Sequence, residues 1–177
     1  MEAMGARPET MPAAAAGTDR EIVVARQYDA PRAAVFAAWT DPEQLKRWWA
    51  PAGCSTPFCA VDLRRGGKFH YCMRMPDGRD IWGIGVYRDI VVAERIVYAD
   101  SFADAEGNPV PPATYGMSAG HPADSLVTVT FAERDGVTTV TVRHAIAAEV
   151  TERDATRQGW TEMLDRLAEA LRRRDAN

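Results

Sequence analysis

The spacing of hydrophobic positions changes twice along the chain, and each change predicts a different kind of element. The run of β-branched residues within Glu21–Tyr28 predicts a first strand. Pro31 then stands where a first helical turn accepts proline, and the next apolar residues fall on one helical face. A capping-box spacing at residues 40–43 precedes a second apolar face. We therefore expect two short helices after the first strand, broken at Asp41 and Pro42.

After residue 53 the apolar positions alternate with polar or small ones, which is typical of strands with one buried face. The strand candidates in this region are residues 58–63, 69–75, 82–87, 95–102, 127–131 and 140–142. Turn residues at Pro76-Asp77-Gly78 and at Asp135-Gly136 join two pairs of these segments. The pattern predicts an antiparallel meander.

Residues 151–174 carry the clearest helical periodicity in the sequence. Their apolar side chains fall in a stripe about 100° wide, with charged side chains on the opposite side. The stripe consists of Trp160, Met163, Leu164, Leu167 and Leu171. A long amphipathic helix needs a large apolar surface, and the sheet is the one candidate. We therefore expect an α+β fold, in which a curved antiparallel sheet of six to seven strands wraps around a long C-terminal helix.

Length and composition limit how the chain is organised. The 177 residues suit one domain, and a hydrophobic fraction of 46% with 26% charged residues is ordinary globular composition. Residues 1–18 are rich in Ala, Pro and Gly and have no sustained periodicity. We expect a flexible N-terminal tail over residues 1–18, followed by a single domain over residues 19–174.

The charge pattern and the terminal sequence disfavour several classes of protein. The net charge is −4 and no basic block precedes the last few residues, which disfavours a nucleic-acid binder. No apolar run approaches the roughly 20 residues of a membrane span. The N-terminus lacks the apolar segment of a secretory signal. We therefore expect a soluble, cytoplasmic protein that binds no nucleic acid.

The candidates for metal or catalytic chemistry are few. Cys54, Cys59 and Cys72 are an odd number of cysteines, which rules out a complete disulfide framework. Neither these cysteines nor the histidines show the spacing of a metal site, and no nucleotide-binding or nucleophile motif is present. His144 has no partner for general-base work that the sequence identifies. We assign no catalytic residue, no metal and no cofactor.

Large apolar side chains are numerous for a small α+β domain. Core packing explains most of them, but a curved sheet and one long helix also leave space between them. We expect a cavity for a small hydrophobic ligand, lined by Phe69, Tyr71, Met73, Trp82, Ile84, Val97, Trp160 and Leu164. Residues 103–124, rich in Gly and Pro, form a long loop that is either a lid over this cavity or a passive surface loop.

The motifs along residues 20–173 resemble those of the START-like (SRPBCC) superfamily, in the branch named for the activator of heat-shock-protein-90 ATPase. The matching motifs are Asp29-Ala30-Pro31, Val35-Phe36, Trp39-Thr40-Asp41-Pro42, Leu45, Trp48-Trp49, Asp62-Leu63-Arg64 with Gly66-Gly67, Pro76-Asp77-Gly78, Glu94-Arg95-Ile96-Val97, Asp135-Gly136 and Gly159-Trp160. The resemblance implies the helix-grip fold with an enclosed hydrophobic cavity. None of these motifs is a catalytic signature.

Three functions follow from the pattern and the resemblance. The first is a non-enzymatic, bacterial protein that binds a lipid, a polyketide or another small aromatic or hydrophobic molecule. The second is a cyclase or hydrolase that uses polar groups in the same cavity, such as Tyr71 or His144. The third is a chaperone-interacting module, which is disfavoured because only 18 residues precede the expected fold. A homodimer is left open.

Overall fold

The computed structural model describes residues 20–176, in which seven antiparallel strands form one curled sheet of order β1-β7-β6-β5-β4-β3-β2. The expected tail, residues 1–18, lies outside the described residues. The elements are β1 (Glu21–Tyr28), α1 (Arg32–Thr40), α2 (Pro42–Leu45), β2 (Ser55–Val61), β3 (Lys68–Arg74), β4 (Asp80–Val91), β5 (Arg95–Ala103), β6 (Ser125–Arg134), β7 (Val137–Ala145) and α3 (Val150–Asp175), with a 3-10 turn at Pro112–Tyr115. The expected helix-grip architecture is confirmed. None of the helices among these residues is long and apolar enough to span a membrane.

The two short helices begin in different ways. Helix α2 is capped one residue later than the capping-box spacing predicts: Asp41, not Thr40, is the N-cap residue, and its side chain accepts a hydrogen bond from the Glu43 amide at 2.9 Å, with Pro42 in the first turn. Helix α1 begins at Arg32, so Pro31 is its N-cap residue and supplies no side-chain hydrogen bond. The Arg32 amide, in the first turn of α1, donates instead to Glu133 Oε2 of β6 at 2.8 Å, so this helix end is capped through a tertiary contact.

Helix α3 packs its apolar stripe against the concave face of the sheet, as the periodicity predicts. Leu164 and Leu167 are fully buried. The Tyr28 hydroxyl donates to the Leu164 carbonyl at 2.9 Å, which ties β1 to the middle of the helix. On the other flank, the Arg166 guanidinium donates to the carbonyl of Ala50 at 2.6 Å. These contacts hold the middle of α3 in place over the sheet.

Aromatic rings fill the interior between α1, α2, α3 and the sheet. Trp39 stacks on Trp160 with ring centroids 6.1 Å apart and also contacts Phe131 edge-on. Trp49 packs edge-on against Phe69 at 4.9 Å and against Trp160 at 5.5 Å. Offset and edge-on pairs of this kind add about 0.5–1.5 kcal/mol each beyond area burial. This end of the interior is a packed core.

Two glycines in β4 allow two tyrosine rings to lie across the sheet. A Cβ added to Gly83 would overlap the ring of Tyr71, and one added to Gly85 would come within 2.8 Å of the ring of Tyr98. No side chain fits at these two inward-facing positions. The close approach carries the Tyr71 hydroxyl from β3, across β4, to the next strand.

Candidate functional site

A cleft of about 210 Å³ lies where β5, β6 and β7 meet the N-terminal half of α3 and the segment 104–124. Apolar side chains such as Phe102, Met117 and Ile146 form part of its wall. Its polar lining consists of Tyr71, Asp100, Ser101, His121, Ser125, His144 and Thr156. A mostly apolar concavity with a few converging polar groups is the usual form of a small-molecule site.

Two other depressions, of about 210 and 290 Å³, lie along the C-terminal half of α3. The larger one is lined by Arg47, Arg166, Glu169, Ala170 and Arg173. Most of the charged side chains of the larger depression are exposed to solvent, and the smaller one is lined by the apolar Ala38, Trp48 and Leu171 together with the exposed Arg47 and Arg174. The cleft beside β5–β7 contains Asp100 and His144, two titratable side chains whose pKa values are shifted by burial, and it is therefore the candidate site.

Asp100 is a carboxyl group placed on the concave face of β5. The Tyr71 hydroxyl donates to its Oδ1 at 3.1 Å. Burial raises the pKa of Asp100 to about 7, and the hydrogen bond from Tyr71 acts in the opposite direction. Burial also raises the pKa of Tyr71 well above its ordinary value, so Tyr71 remains a neutral donor. Near neutral pH both protonation states of Asp100 are populated.

His144 is a buried imidazole whose tautomer is set by its neighbour on α3. The indole Nε1–H of Trp160 donates to His144 Nδ1 at 3.1 Å. Since an indole nitrogen is only a donor, Nδ1 must be the unprotonated acceptor, and a neutral His144 carries its proton on Nε2. Burial lowers the pKa of His144 to about 4, with the nearby His121 acting in the same direction, so the ring is neutral at pH 7.

Ser125 accepts a hydrogen bond from the Nε2–H group of His144. Its Oγ lies 2.7 Å from His144 Nε2, and the tautomer makes the serine the acceptor in this bond. The imidazole therefore cannot take the serine proton, which excludes a serine–histidine nucleophile in this arrangement. The Ser125 hydroxyl proton remains available to donate into the cleft.

The segment 104–124 is tied to the first turn of α3 at the edge of the cleft. The Ser118 amide donates to Glu152 Oε1 at 2.8 Å, and His121 Nδ1 lies 3.0 Å from Glu152 Oε2. These two bonds, that of the Ser118 amide first, lower the pKa of Glu152. The Tyr115 hydroxyl holds the middle of the segment to the Ala103 carbonyl at 2.7 Å. Its action as a lid stays a prediction.

Five of the eight residues predicted to line a cavity lie on the helix side of the sheet, but only Tyr71 lines the cleft. Phe69, Trp160 and Leu164 are buried in the aromatic core, and Met73 packs at its margin. These four residues and Tyr71 are brought together as expected. Ligand contact by any of them stays a prediction.

Trp82, Ile84 and Val97 are on the opposite face of the sheet and do not join that group. In the β3–β4 register Trp82 pairs with Cys72, next to the Tyr71–Gly83 pair, and its ring packs against Phe58 at 5.4 Å. The reason is steric: the rings of Tyr71 and Tyr98 cover the concave side of β4 at Gly83 and Gly85, so the neighbouring Trp82 and Ile84 face outward, whereas Tyr87 further along the strand faces inward. The size of a side chain therefore does not indicate which face of the strand it occupies.

Asp100 and Ser125 were not identified from the sequence. Asp100 continues the inward series of Ile96 and Tyr98 in β5, and an acidic residue at an inward position was a signal that the alternation contained. Ser125 is the first inward-facing residue of β6, but a serine at the end of a strand is common and gives no signal of a functional site. Their adjacency depends on the β5–β6 register, where the two are direct partners.

Comparison with known proteins gives the family. The sequence matches the family described as Activator of Hsp90 ATPase homolog 1-like protein over residues 29–172. The chain belongs to this family. No curated protein matches the sequence.

Solved structures resemble the chain over most of its length. A protein from Nitrosomonas europaea has a TM-score of 0.75 and 21% identity, covering 92% of this chain and 100% of its own. A protein from Mycobacterium smegmatis has a TM-score of 0.68 and 24% identity, covering 86% and 88%. The AHSA1 protein from Silicibacter pomeroyi has a TM-score of 0.67 and 20% identity, covering 85% and 96%. Likeness at these identities shows the fold alone.

Membership of the Activator of Hsp90 ATPase homolog 1-like family confirms the resemblance inferred from the motifs. None of those motif residues is among the residues that line the cleft. The Asp29-Ala30-Pro31 and Trp48-Trp49 motifs, for example, belong to the β1–α1 junction and to the aromatic core. The polar side chains that line the cleft therefore lie outside these motifs.

No group of three or more His, Cys, Asp or Glu side chains within residues 20–176 is arranged to hold a metal ion. The free cysteines are Cys54, Cys59 and Cys72, and burial raises the pKa of each thiol, to about 12 for Cys59 and about 11 for Cys72. A raised thiol pKa leaves little thiolate at neutral pH.

Proposed function

We propose that this protein binds a small, mostly apolar ligand that carries one polar group, in the cleft between β5–β7 and α3. The observation that carries the proposal is the pairing of Asp100 and Ser125 inside a concavity whose wall also includes the apolar side chains of Phe102, Met117 and Ile146. The proposed binding site is therefore the cleft, and not the aromatic core beside it, where the sequence analysis expected the cavity.

The volume of the cleft supports a ligand of one or two rings. A cavity of about 150 Å³ accommodates benzene. The cleft, at about 210 Å³, is somewhat larger and open on one side. A compact bicyclic molecule suits this space better than a sterol or a long acyl chain.

The polar side chains specify where the polar group of the ligand lies. Ser125 offers a hydroxyl proton, because His144 already occupies its acceptor side. Asp100 offers carboxyl oxygen, and among the hydrogen bonds of residues 20–176 only the Tyr71 hydroxyl reaches it. A single ligand hydroxyl can accept from Ser125 and donate to Asp100, so a phenol-like molecule satisfies both side chains.

The test compares 2-naphthol with 2-methoxynaphthalene, which has similar size but no proton to donate. Isothermal titration calorimetry should show saturable binding of 2-naphthol and at least about tenfold weaker binding of the methyl ether, since a hydrogen bond to a charged group contributes about 1.5–3 kcal/mol. Ser125→Ala and Asp100→Asn should each weaken 2-naphthol binding by about tenfold.

Asp135→Asn is the matched control, because Asp135 is an exposed carboxylate in the β6–β7 turn, away from the cleft. It should bind 2-naphthol as the unmodified protein does. Equal binding by all four proteins would show that naphthol associates elsewhere on the surface and would contradict the proposal.

A further inference from the structure

We infer that the cleft is also a proton-transfer site for a small enolisable ketone, in which Asp100 accepts a proton from the carbon beside the carbonyl while Ser125 donates to the carbonyl oxygen. The inference rests on the proposed ligand-binding function and adds a reaction to it. It assigns roles to two residues outside the family motifs.

The first support is the placement of the two side chains. Asp100 and Ser125 are direct partners in the β5–β6 register and lie on the same face, so their Cβ atoms are about 4.5–5.5 Å apart. The carbonyl oxygen and the α-hydrogen of a ketone lie on adjacent carbon centres. One planar ligand can therefore present its oxygen to Ser125 and its α-hydrogen to Asp100.

The second support is the series of donors behind Ser125. The Trp160 indole donates to His144 Nδ1 at 3.1 Å, and His144 Nε2 donates to Ser125 Oγ across 2.7 Å. Every proton in this series points toward the cleft, which polarises the Ser125 hydroxyl and strengthens it as a donor. A fixed donor aimed at a developing oxyanion is the arrangement that stabilises an enolate.

The third support is the chemistry of Asp100. Its Oδ1 accepts from Tyr71, which holds the carboxyl in one orientation at the cleft wall. Burial raises the pKa of Asp100 to about 7, so the group can take a proton and return it near neutral pH. The surrounding titratable side chains are Tyr71 and Tyr98, His121 from the segment 104–124, and His144 from β7.

The reaction balances without another reactant. The α C–H bond breaks, its proton goes to the Asp100 carboxylate, and its electron pair becomes the C=C bond of the enolate. The carbonyl π electrons move to oxygen, where the Ser125 hydroxyl stabilises the negative charge. The protonated Asp100 exchanges its proton with solvent and then returns a solvent-derived proton to the same carbon, which results in hydrogen exchange. With a β,γ-unsaturated ketone, Asp100 can return the proton to the γ carbon instead, which moves the double bond into conjugation.

The experiment follows hydrogen exchange at C2 of 1-indanone, a bicyclic ketone with one enolisable methylene. The protein is added to 1-indanone in D₂O, and proton NMR records the loss of the C2 signal. We expect loss faster than in buffer, with the protein-dependent rate falling at least about 100-fold in Asp100→Asn. Ser125→Ala should lower it by about 100-fold or more, and the Asp135→Asn control should leave it unchanged.

A binding measurement in the same samples separates the two proposals. Saturation-transfer NMR reports whether 1-indanone contacts the protein, and a thermal melt verifies that each variant is folded. Binding with an exchange rate equal to that of Asp100→Asn would overturn proton transfer and leave ligand binding intact. No exchange and no binding of 1-indanone, beside normal binding of 2-naphthol, would also overturn it. Failure of both compounds to bind would overturn both proposals.

Discussion

At the scale of single residues, Asp100 and His144 line one cleft, and burial moves their pKa values in opposite directions. The pKa of Asp100 rises to about 7, whereas that of His144 falls to about 4. As the pH falls from 7 toward 4, the folded state takes up a proton at Asp100 before the unfolded state does, which stabilises the fold. Over the same range the unfolded state protonates His144 first, which destabilises it. The two effects oppose each other.

Asp100→Asn should expose this balance. Above pH 7 the wild-type protein carries a buried carboxylate, so the neutral variant should be more stable, by on the order of a few kcal/mol at pH 8. The advantage should shrink as the pH falls to 5, because Asp100 is then protonated in the folded state. Denaturant melts at pH 5, 6, 7 and 8 measure the difference.

The free energies of unfolding of the two proteins are compared at each pH, so the contributions of all other titratable groups cancel and the wild-type protein is the control. A stability difference that stays constant from pH 5 to 8 would contradict a pKa of about 7 for Asp100 in the folded state. If the advantage of Asp100→Asn in stability instead grew as the pH fell, the pKa of Asp100 would be lowered in the folded state and not raised.

The tautomer of His144 is a second residue-scale prediction. Long-range ¹H–¹⁵N NMR should show a protonated Nε2 and an unprotonated Nδ1 from pH 5.5 to 8, because the Trp160 indole donates to Nδ1. Trp160→Phe removes that donor and should yield a mixture of tautomers, with a loss of about 1–3 kcal/mol for the unsatisfied buried acceptor. A wild-type ring protonated at Nδ1 would instead make Ser125 the donor to His144, which removes it as a donor to the ligand.

At the scale of elements, strand β4 shows how far the sequence could predict the site. Periodicity was sufficient for the seven strands, the two short helices and the buried stripe of α3, because each depends on residues close in sequence. The inward face of β4 depends on Tyr71 and Tyr98, which come from neighbouring strands. Alternation in one strand does not show which of its two faces a ring from the next strand covers, so Trp82 and Ile84 were assigned inward.

The same limit applies to the cleft itself. Asp100 lies at an inward position that alternation could identify, but its pairing with Ser125 depends on the β5–β6 register. The contact between His144 and Trp160 joins β7 to α3, and sequence spacing does not specify it. The sequence therefore predicted the fold and two polar members of the site, Tyr71 and His144, but not Asp100 and Ser125.

Gly83→Ala tests the close approach in β4. The new Cβ would overlap the Tyr71 ring, so the ring or the strand must shift, and overpacking of this kind typically destabilises by about 1–3 kcal/mol. The displaced Tyr71 hydroxyl should also lose its bond to Asp100. Gly120→Ala is the control, because its Cβ would meet no atom within 4 Å, and it should change stability by less than about 0.5 kcal/mol. Equal effects of the two substitutions would contradict this packing.

At the scale of the whole molecule, the interior between sheet and helix has two ends with different properties. Around Trp39, Trp49 and Trp160 the aromatic rings are in mutual contact and form a rigid core. Beyond His144 the space opens into the cleft, which the segment 104–124 borders. The packed end holds the sheet and α3 at a fixed separation, and the open end is where a ligand has room.

The most direct test of ligand binding in the cleft is the ¹H–¹⁵N spectrum of the five tryptophan indoles during titration with 2-naphthol. We expect the Trp160 cross-peak, identified by its absence in Trp160→Phe, to shift saturably, because its acceptor His144 lines the cleft. Trp48, bonded to the Ala38 carbonyl in the core, and Trp82, on the opposite face of the sheet, should not move. A shift of Trp82 with Trp160 unchanged, or no shift at saturating 2-naphthol, would contradict a binding site in the cleft.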